Sequence, residues 1–226
     1  MPYIPPKNRP GIDQCVNALA DEMAAEVTRT KATAEISELY RRTFDTLSSY
    51  ITAHAQPRTT TVTIGVVGAP LSVTERLGQA VLDAAKGYNQ KGGFLGELNY
   101  AITTLIQAVP HKLVKNHVWD EAMRYWLYAQ TVGALTRTAY DQHAKHGNNW
   151  ISNGLAGVFE DVKDEYKRRV NTAYEAAQIT KSGDCFSMAP YRTQLVETEV
   201  AGVKGYMEVM LPRQEPAPAP APAPKA

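Results

Sequence analysis

The residues with the most chemistry to offer lie between Asn153 and Arg169. Asn153, Gly157, Glu160, Asp164 and Lys167 recur at steps of three and four, the period of one helical face, with Lys163, Arg168 and Arg169 beside them. Guanidinium and ammonium groups on such a face can hold a phosphate or another small anion. The same groups can instead pair along the helix, because Glu160 with Lys163, and Glu165 with Arg168 or Arg169, stand three and four apart. Pairs of that kind are abundant and individually weak. Gly154 and Gly157 each cost about 1 kcal/mol relative to Ala inside a helix. Such a cost calls for a close contact, with another helix or with a ligand. Asn99 and Tyr100, on a second helical segment, could offer hydrogen bonds to it.

Carboxylates suggest a different chemistry. Glu97 on one segment and Glu160, Asp161, Asp164 and Glu165 on another are enough to hold Mg²⁺, as all-helical nucleotide pyrophosphohydrolases do. Neither stretch shows the paired Glu-x-x-Glu and Glu-x-x-Asp pattern, so no metal and no cofactor is expected. Cys15 and Cys185 have no close cysteine or histidine partner for zinc and are expected to be reduced thiols. His143 and His146 fall in a polar run and read as a solvated helix end. The turn from Gly65 through Gly68 to Pro70 lacks any Gly-Lys-Ser/Thr, and Pro70 removes an amide that a phosphate cradle would use. Nucleic-acid binding through Lys163, Lys167, Arg168, Arg169 and Lys181 is disfavoured by the interleaved acids. With 24 Lys and Arg against 23 Asp and Glu, the net charge of +1 exerts no bulk pull on a polyanion.

The elements that position these residues follow from apolar spacing. Ile12, Val16, Leu19, Met23 and Val27 predict a helix from about Asp13, and Ile36 to Ile51 a second one stopped by Pro57. Ser72-Val73-Thr74-Glu75 fits a capping box opening a short helix to about Lys86. Leu95, Leu98, Ile102, Leu105, Ile106 and Val109 give another, ended by Pro110. A long helix is expected from roughly Val118 to Tyr140, its tryptophans serving core or interface packing, and the last from Trp150 to about Ala177. The β-branched run Thr59 to Val67 reads as a strand, and the alternating runs Leu195 to Val200 and Tyr206 to Leu211 as a hairpin that could join it. The expected fold is therefore mainly α, a multi-helix bundle with a small β-element made of one central strand and a C-terminal hairpin. Beyond it, Pro and Ala alternate through a tail, 212–226, expected to be extended and disordered. No 18-residue apolar run and no basic-then-apolar leader occurs, so no membrane partner is expected and the chain is expected in the cytoplasm.

Three blocks carry a resemblance. Met1-Pro2-Tyr3-Ile4 with Arg9 and Asp13, the segment Gly96-Glu97-Leu98-Asn99-Tyr100-Ala101-Ile102-Thr103, and the stretch from Asn153 through Gly157, Glu160, Lys163, Glu165, Tyr166, Arg168-Arg169, Tyr174-Glu175, Lys181 and Gly183-Asp184 resemble a family of small uncharacterised proteins from bacteriophages and bacteria. The resemblance covers about a third of the chain and departs at Ala173, where a proline commonly precedes the Tyr-Glu pair. It implies a compact, mainly helical, phage-encoded cytoplasmic domain over 1–211, with insertions at about 28–92 and 112–146. It implies no activity. The functional expectation is a non-enzymatic binding or accessory module. In it Asn99, Tyr100, Asn153, Glu160, Lys163, Arg168 and Arg169 line a homo-oligomer interface or a polar pocket for a small anionic ligand such as a nucleotide. A Mg-dependent pyrophosphohydrolase and a nucleic-acid-binding accessory protein are the alternatives.

Overall fold

A single 3₁₀ turn, Pro6–Asn8, leads into helix α1, Arg9–Thr30. The helix begins ahead of the apolar repeat because Pro10 sits in the first turn, where its missing N–H has no partner to lose. Helices α2, Ile36–His54, and α3, Val73–Ala84, follow. Ser72 caps α3 as its sequence predicts: its hydroxyl accepts from the Glu75 amide at 3.3 Å, while its own amide donates to the Glu75 carboxylate at 2.8 Å. Helices α4, Phe94–Lys115, α5, Met123–His146, and α6, Trp150–Tyr166, complete the first of two compact units, Met1–Ala173 and Tyr174–Ala226. The computed structural model describes residues 4–30, 36–55, 70–88, 92–115, 123–146, 149–172, 175–176, 191–200 and 203–212.

Pro110 does not end α4. The helix runs through it, with Val109 fully buried and Leu113 nearly so. Burying two large aliphatic side chains returns about as much free energy as the roughly 3 kcal/mol that an internal proline costs. The helix expected to reach about Ala177 changes type on the way: α6 ends at Tyr166, a wider π-turn, Lys167–Asn171, follows it, and Thr172, Glu175 and Ala176 are again α-helical.

One apolar core joins the helices of this unit. Helix α1 packs on α3 and α4, α2 on α3 and α5, and α6 on α4 and α5. Tyr40, Phe44 and Phe159 form its aromatic centre, with ring centroids 5.6 and 5.3 Å apart in succession. Ile36, Leu47, Ile51, Leu77, Val81 and Leu135 are all essentially buried. These six come from the stretches expected to be insertions, yet they complete the same core as Leu98, Ile102 and Leu155. At the α2–α3 contact the Tyr50 ring lies on the backbone of Gly78, where a Cβ would fall 2.6 Å from Tyr50 Cδ1. His54, one turn on in α2, stacks with that ring, centroids 4.1 Å apart.

The chain is mainly helical. The strand expected over 59–67 lies outside the described residues, and among the described residues of the first unit there is no strand. A small sheet uniting that strand with the hairpin is therefore not supported. The second unit, by itself, carries β1, Tyr191–Val200, paired antiparallel with β2, Val203–Pro212, in the register Leu195 opposite Glu208 and Glu199 opposite Lys204. The hairpin expected within a domain reaching 211 thus belongs to this second unit. The 212–226 tail beyond Pro212, and Cys185, lie outside the described residues. Cys15 is a partly buried free thiol, and burial pushes its pKa up. Among the described residues no helix is long and apolar enough to cross a membrane.

Candidate functional site

Two polar regions of the first unit invite chemistry, and they are built in opposite ways. The first is the outer face of α6. Asn149 caps the helix, its side-chain oxygen accepting from the Ile151 amide at 3.0 Å. Trp150 rests against Phe94, with centroids 6.3 Å apart, and Gly154 faces Leu95 so closely that a Cβ would sit 3.0 Å from its nearest methyl. That glycine earns its place by helix packing. Gly157, one turn on, is exposed, and a Cβ there would meet nothing within 4 Å. The close contact expected at Gly157 is not supplied by the described residues of the chain itself.

The other expected site residues divide into small local groups. Asn153 is exposed. Lys163, its side chain only 14% exposed, donates to Glu160 one turn back. Glu165 accepts from Arg168 at 2.8 and 2.9 Å and from Arg169, and these two guanidinium groups hold its carboxyl down at about 2. Asn99 is buried inside α4 and accepts from the Thr103 hydroxyl at 3.3 Å. Tyr100 turns toward α1, donating its hydroxyl to Asp13 at 2.9 Å. Burial first, and that bond second, raise its pKa. Among the described residues no hydrogen bond joins Asn99 or Tyr100 to Asn153, Glu160 or Lys163.

The second region is a clasp at the start of α4. Phe94, Leu98, Ala101, Ile102 and Leu105 mark the buried stripe of that helix, and Glu97 falls on the same stripe, three residues after Phe94 and four before Ala101. It is 1% exposed, the one buried Asp, Glu, Lys, Arg or His among the described residues. Its Oε1 accepts from Asn8 Nδ2 at 3.0 Å and from the Tyr88 hydroxyl at 2.7 Å, and Asn8 also donates to that hydroxyl at 3.2 Å. The bond to Glu97 is the main cause of a raised Tyr88 pKa. The first-turn position in α4 adds the favourable end of the helix dipole.

Backbone geometry holds the clasp shut. Gly92 has φ +84°, a conformation that glycine adopts without strain, and at Gly93 a Cβ would come within 2.7 Å of Tyr88 Cβ. Alongside, Arg9 folds back to give Ile4 carbonyl two hydrogen bonds, at 3.0 and 3.2 Å, and lays its guanidinium 5.4 Å from the centre of the Tyr100 ring. Ile4 itself is buried, 4.0 Å from where a Gly96 Cβ would stand. Two of the three resemblance blocks therefore meet here, through Ile4, Arg9, Asp13, Glu97 and Tyr100. Asn8 and Tyr88 carried no signal in the sequence. Glu97 did carry one, since its helical phase alone puts a carboxylate among core residues.

The first unit is a domain of six helices among the described residues, with one buried carboxylate, Glu97, held by Asn8 and Tyr88. The chain belongs to the family described as Domain of unknown function (DUF6899), whose family model matches residues 1–150, about two-thirds of the sequence. That match spans both stretches expected to be insertions and includes the whole clasp, while Asn153 to Arg169 fall beyond it. No curated protein and no solved structure matches the chain.

Proposed function

We propose that this protein works by binding rather than by chemistry, through the exposed face of α6 around Gly157, and that the partner is a second copy of the chain. One observation carries the reading: Gly157 sits mid-helix, at a cost of about 1 kcal/mol, with nothing among the described residues beyond its own helix backbone within 4 Å of a Cβ. A backbone laid bare in this way admits another helix at short range, as Gly154 admits Leu95. Exposed Asn153 and Asp161 border it with groups able to hydrogen-bond a partner. Sedimentation velocity on the full chain tests the reading. Self-association that Gly157→Leu abolishes is the expected result, and a strict monomer at every concentration overturns it.

A small anionic ligand such as a nucleotide is the second reading, supported by three consecutive cations, Lys167, Arg168 and Arg169, beside the Glu165 carboxylate. Calorimetry against a nucleotide panel distinguishes it from self-association. The hydrolase and nucleic-acid alternatives have less behind them. Among the described residues no three His, Cys, Asp or Glu gather as metal ligands, and Glu97 is engaged with Asn8 and Tyr88. Three of the cations near the end of α6, Lys163, Arg168 and Arg169, are paired with the carboxylates of Glu160 and Glu165.

A further inference from the structure

Glu97 presents an imbalance that the fold does not resolve. A carboxylate taken out of water is costly unless a cation or several strong donors compensate it, and the penalty is several kcal/mol even after relaxation. Every ion pair among the described residues involves an acid other than Glu97. Its two donors, an amide and a phenol, are both neutral. Both reach the same oxygen, Oε1, so Oε2 takes no hydrogen bond from the described residues. Of the two cations that flank Asn8, Lys7 is exposed and Arg9 spends its guanidinium on the Ile4 carbonyl and the Tyr100 ring instead. The cover over the carboxylate is thin on one side, since Tyr88 is 39% exposed and Asn8 is half-buried. Tyr88 also stands outside any helix, just after the 3₁₀ turn Ala85–Gly87.

We infer that Glu97 anchors a binding site for a cationic group, an ammonium or a guanidinium, and that Tyr88 and Asn8 close this site in the free chain. The ligand's N–H donors replace the phenol and amide at the carboxylate and bring a positive charge that none of the described residues places there. A carboxylate facing an N–H cation forms the stronger, charge-assisted kind of hydrogen bond, so the exchange favours the ligand. The side chain of Tyr88 swings outward, toward the solvent it already partly meets. This site shares no residue with the α6 face, and its failure leaves the proposed self-association untouched.

Thermal melting of the full chain at constant ionic strength, with spermidine in one arm and a tetralysine peptide in the other, tests the inference. Wild type is expected to melt higher with at least one probe, and the responding arm tells a free amine from a peptide side chain. Glu97→Gln keeps an oxygen for Asn8 and Tyr88, so it folds but loses the response. Tyr88→Phe removes the competing phenol, and its apparent affinity rises about tenfold, the equivalent of one hydrogen bond to a charged group. Equal responses in wild type and Glu97→Gln overturn the inference, as does no response in both wild type and Tyr88→Phe. It also falls if Lys91→Met lowers the melting temperature of wild type but not of Glu97→Gln, because the chain's own lysine would then hold the carboxylate.

Discussion

The clasp and the α6 face contain similar residue types and find their polar partners by different routes. Along α6 and the turn that follows it, partners lie three or four residues away, as Lys163 does from Glu160 and Arg168 and Arg169 do from Glu165. In the clasp the partners are remote: Asn8 reaches Glu97 across 89 positions and Tyr100 reaches Asp13 across 87. The first arrangement survives in an isolated helix and costs little to lose. The second exists only when α1, α4 and the turn after α3 have assembled. A run of charges at helical spacing therefore settles its own account, whereas a solitary acid on an apolar stripe commits the tertiary structure to supply its partners.

Perturbing each region in turn sharpens this difference. The largest effect is expected at Glu97→Ala, which strands the Asn8 and Tyr88 donors and leaves a cavity. Urea unfolding should show a loss of about 2 to 3 kcal/mol, and a loss no greater than that of an exposed Glu→Ala control would mean that the clasp is ornamental. Gly93→Ala drives a Cβ into Tyr88 and should cost about 1 to 2 kcal/mol in the same assay. Gly157→Ala reverses the sign: with no clash, it should raise the stability of the isolated chain by about 1 kcal/mol while weakening any association through that face. A destabilised Gly157→Ala chain would show that the glycine is held by its own fold.

The smallest effect on stability is expected on the Glu165 cluster, where Arg168→Gln with Arg169→Gln should leave the melting temperature nearly unchanged. Its signature is in titration. The folded carboxyl lies at about 2, below its ordinary 4.5, so its contribution is complete above about pH 4.5 and is lost as pH falls through about 2. NMR titration of the Glu165 side chain should place its midpoint near 2 in wild type and move it toward 4.5 in the double variant. An unmoved midpoint would sink the assignment of the shift to the two arginines.

Much of the helical architecture could be read from spacing, because burial of one face is a local periodic demand. The Ile12 to Val27 and Leu98 to Val109 stripes are both in the core, and the Ser72 box is formed. Element ends were less legible. Pro110 looks like a stop until the packing of Val109 and Leu113 is weighed against it, and nothing local announces the change of helix type after Tyr166. The site residues separate in the same way. The pairings of Glu160 with Lys163 and of Glu165 with Arg168 or Arg169 follow from offsets along one helix. The engagement of Tyr100 with Asp13, and of Glu97 with Asn8 and Tyr88, depends on which helices meet, a fact that no single segment encodes.

The ring of Tyr50, set on Gly78 and stacked with His54, has a practical consequence for engineering. With α2 and α3 keyed together by a fit that leaves no room for a methyl group on Gly78, their alignment does not depend on the length of the chain that links them. Each doubling of that connection costs only about 0.6 kcal/mol in closure entropy. A reporter or affinity handle spliced between residues 56 and 69 would thus leave the two helices seated as they are.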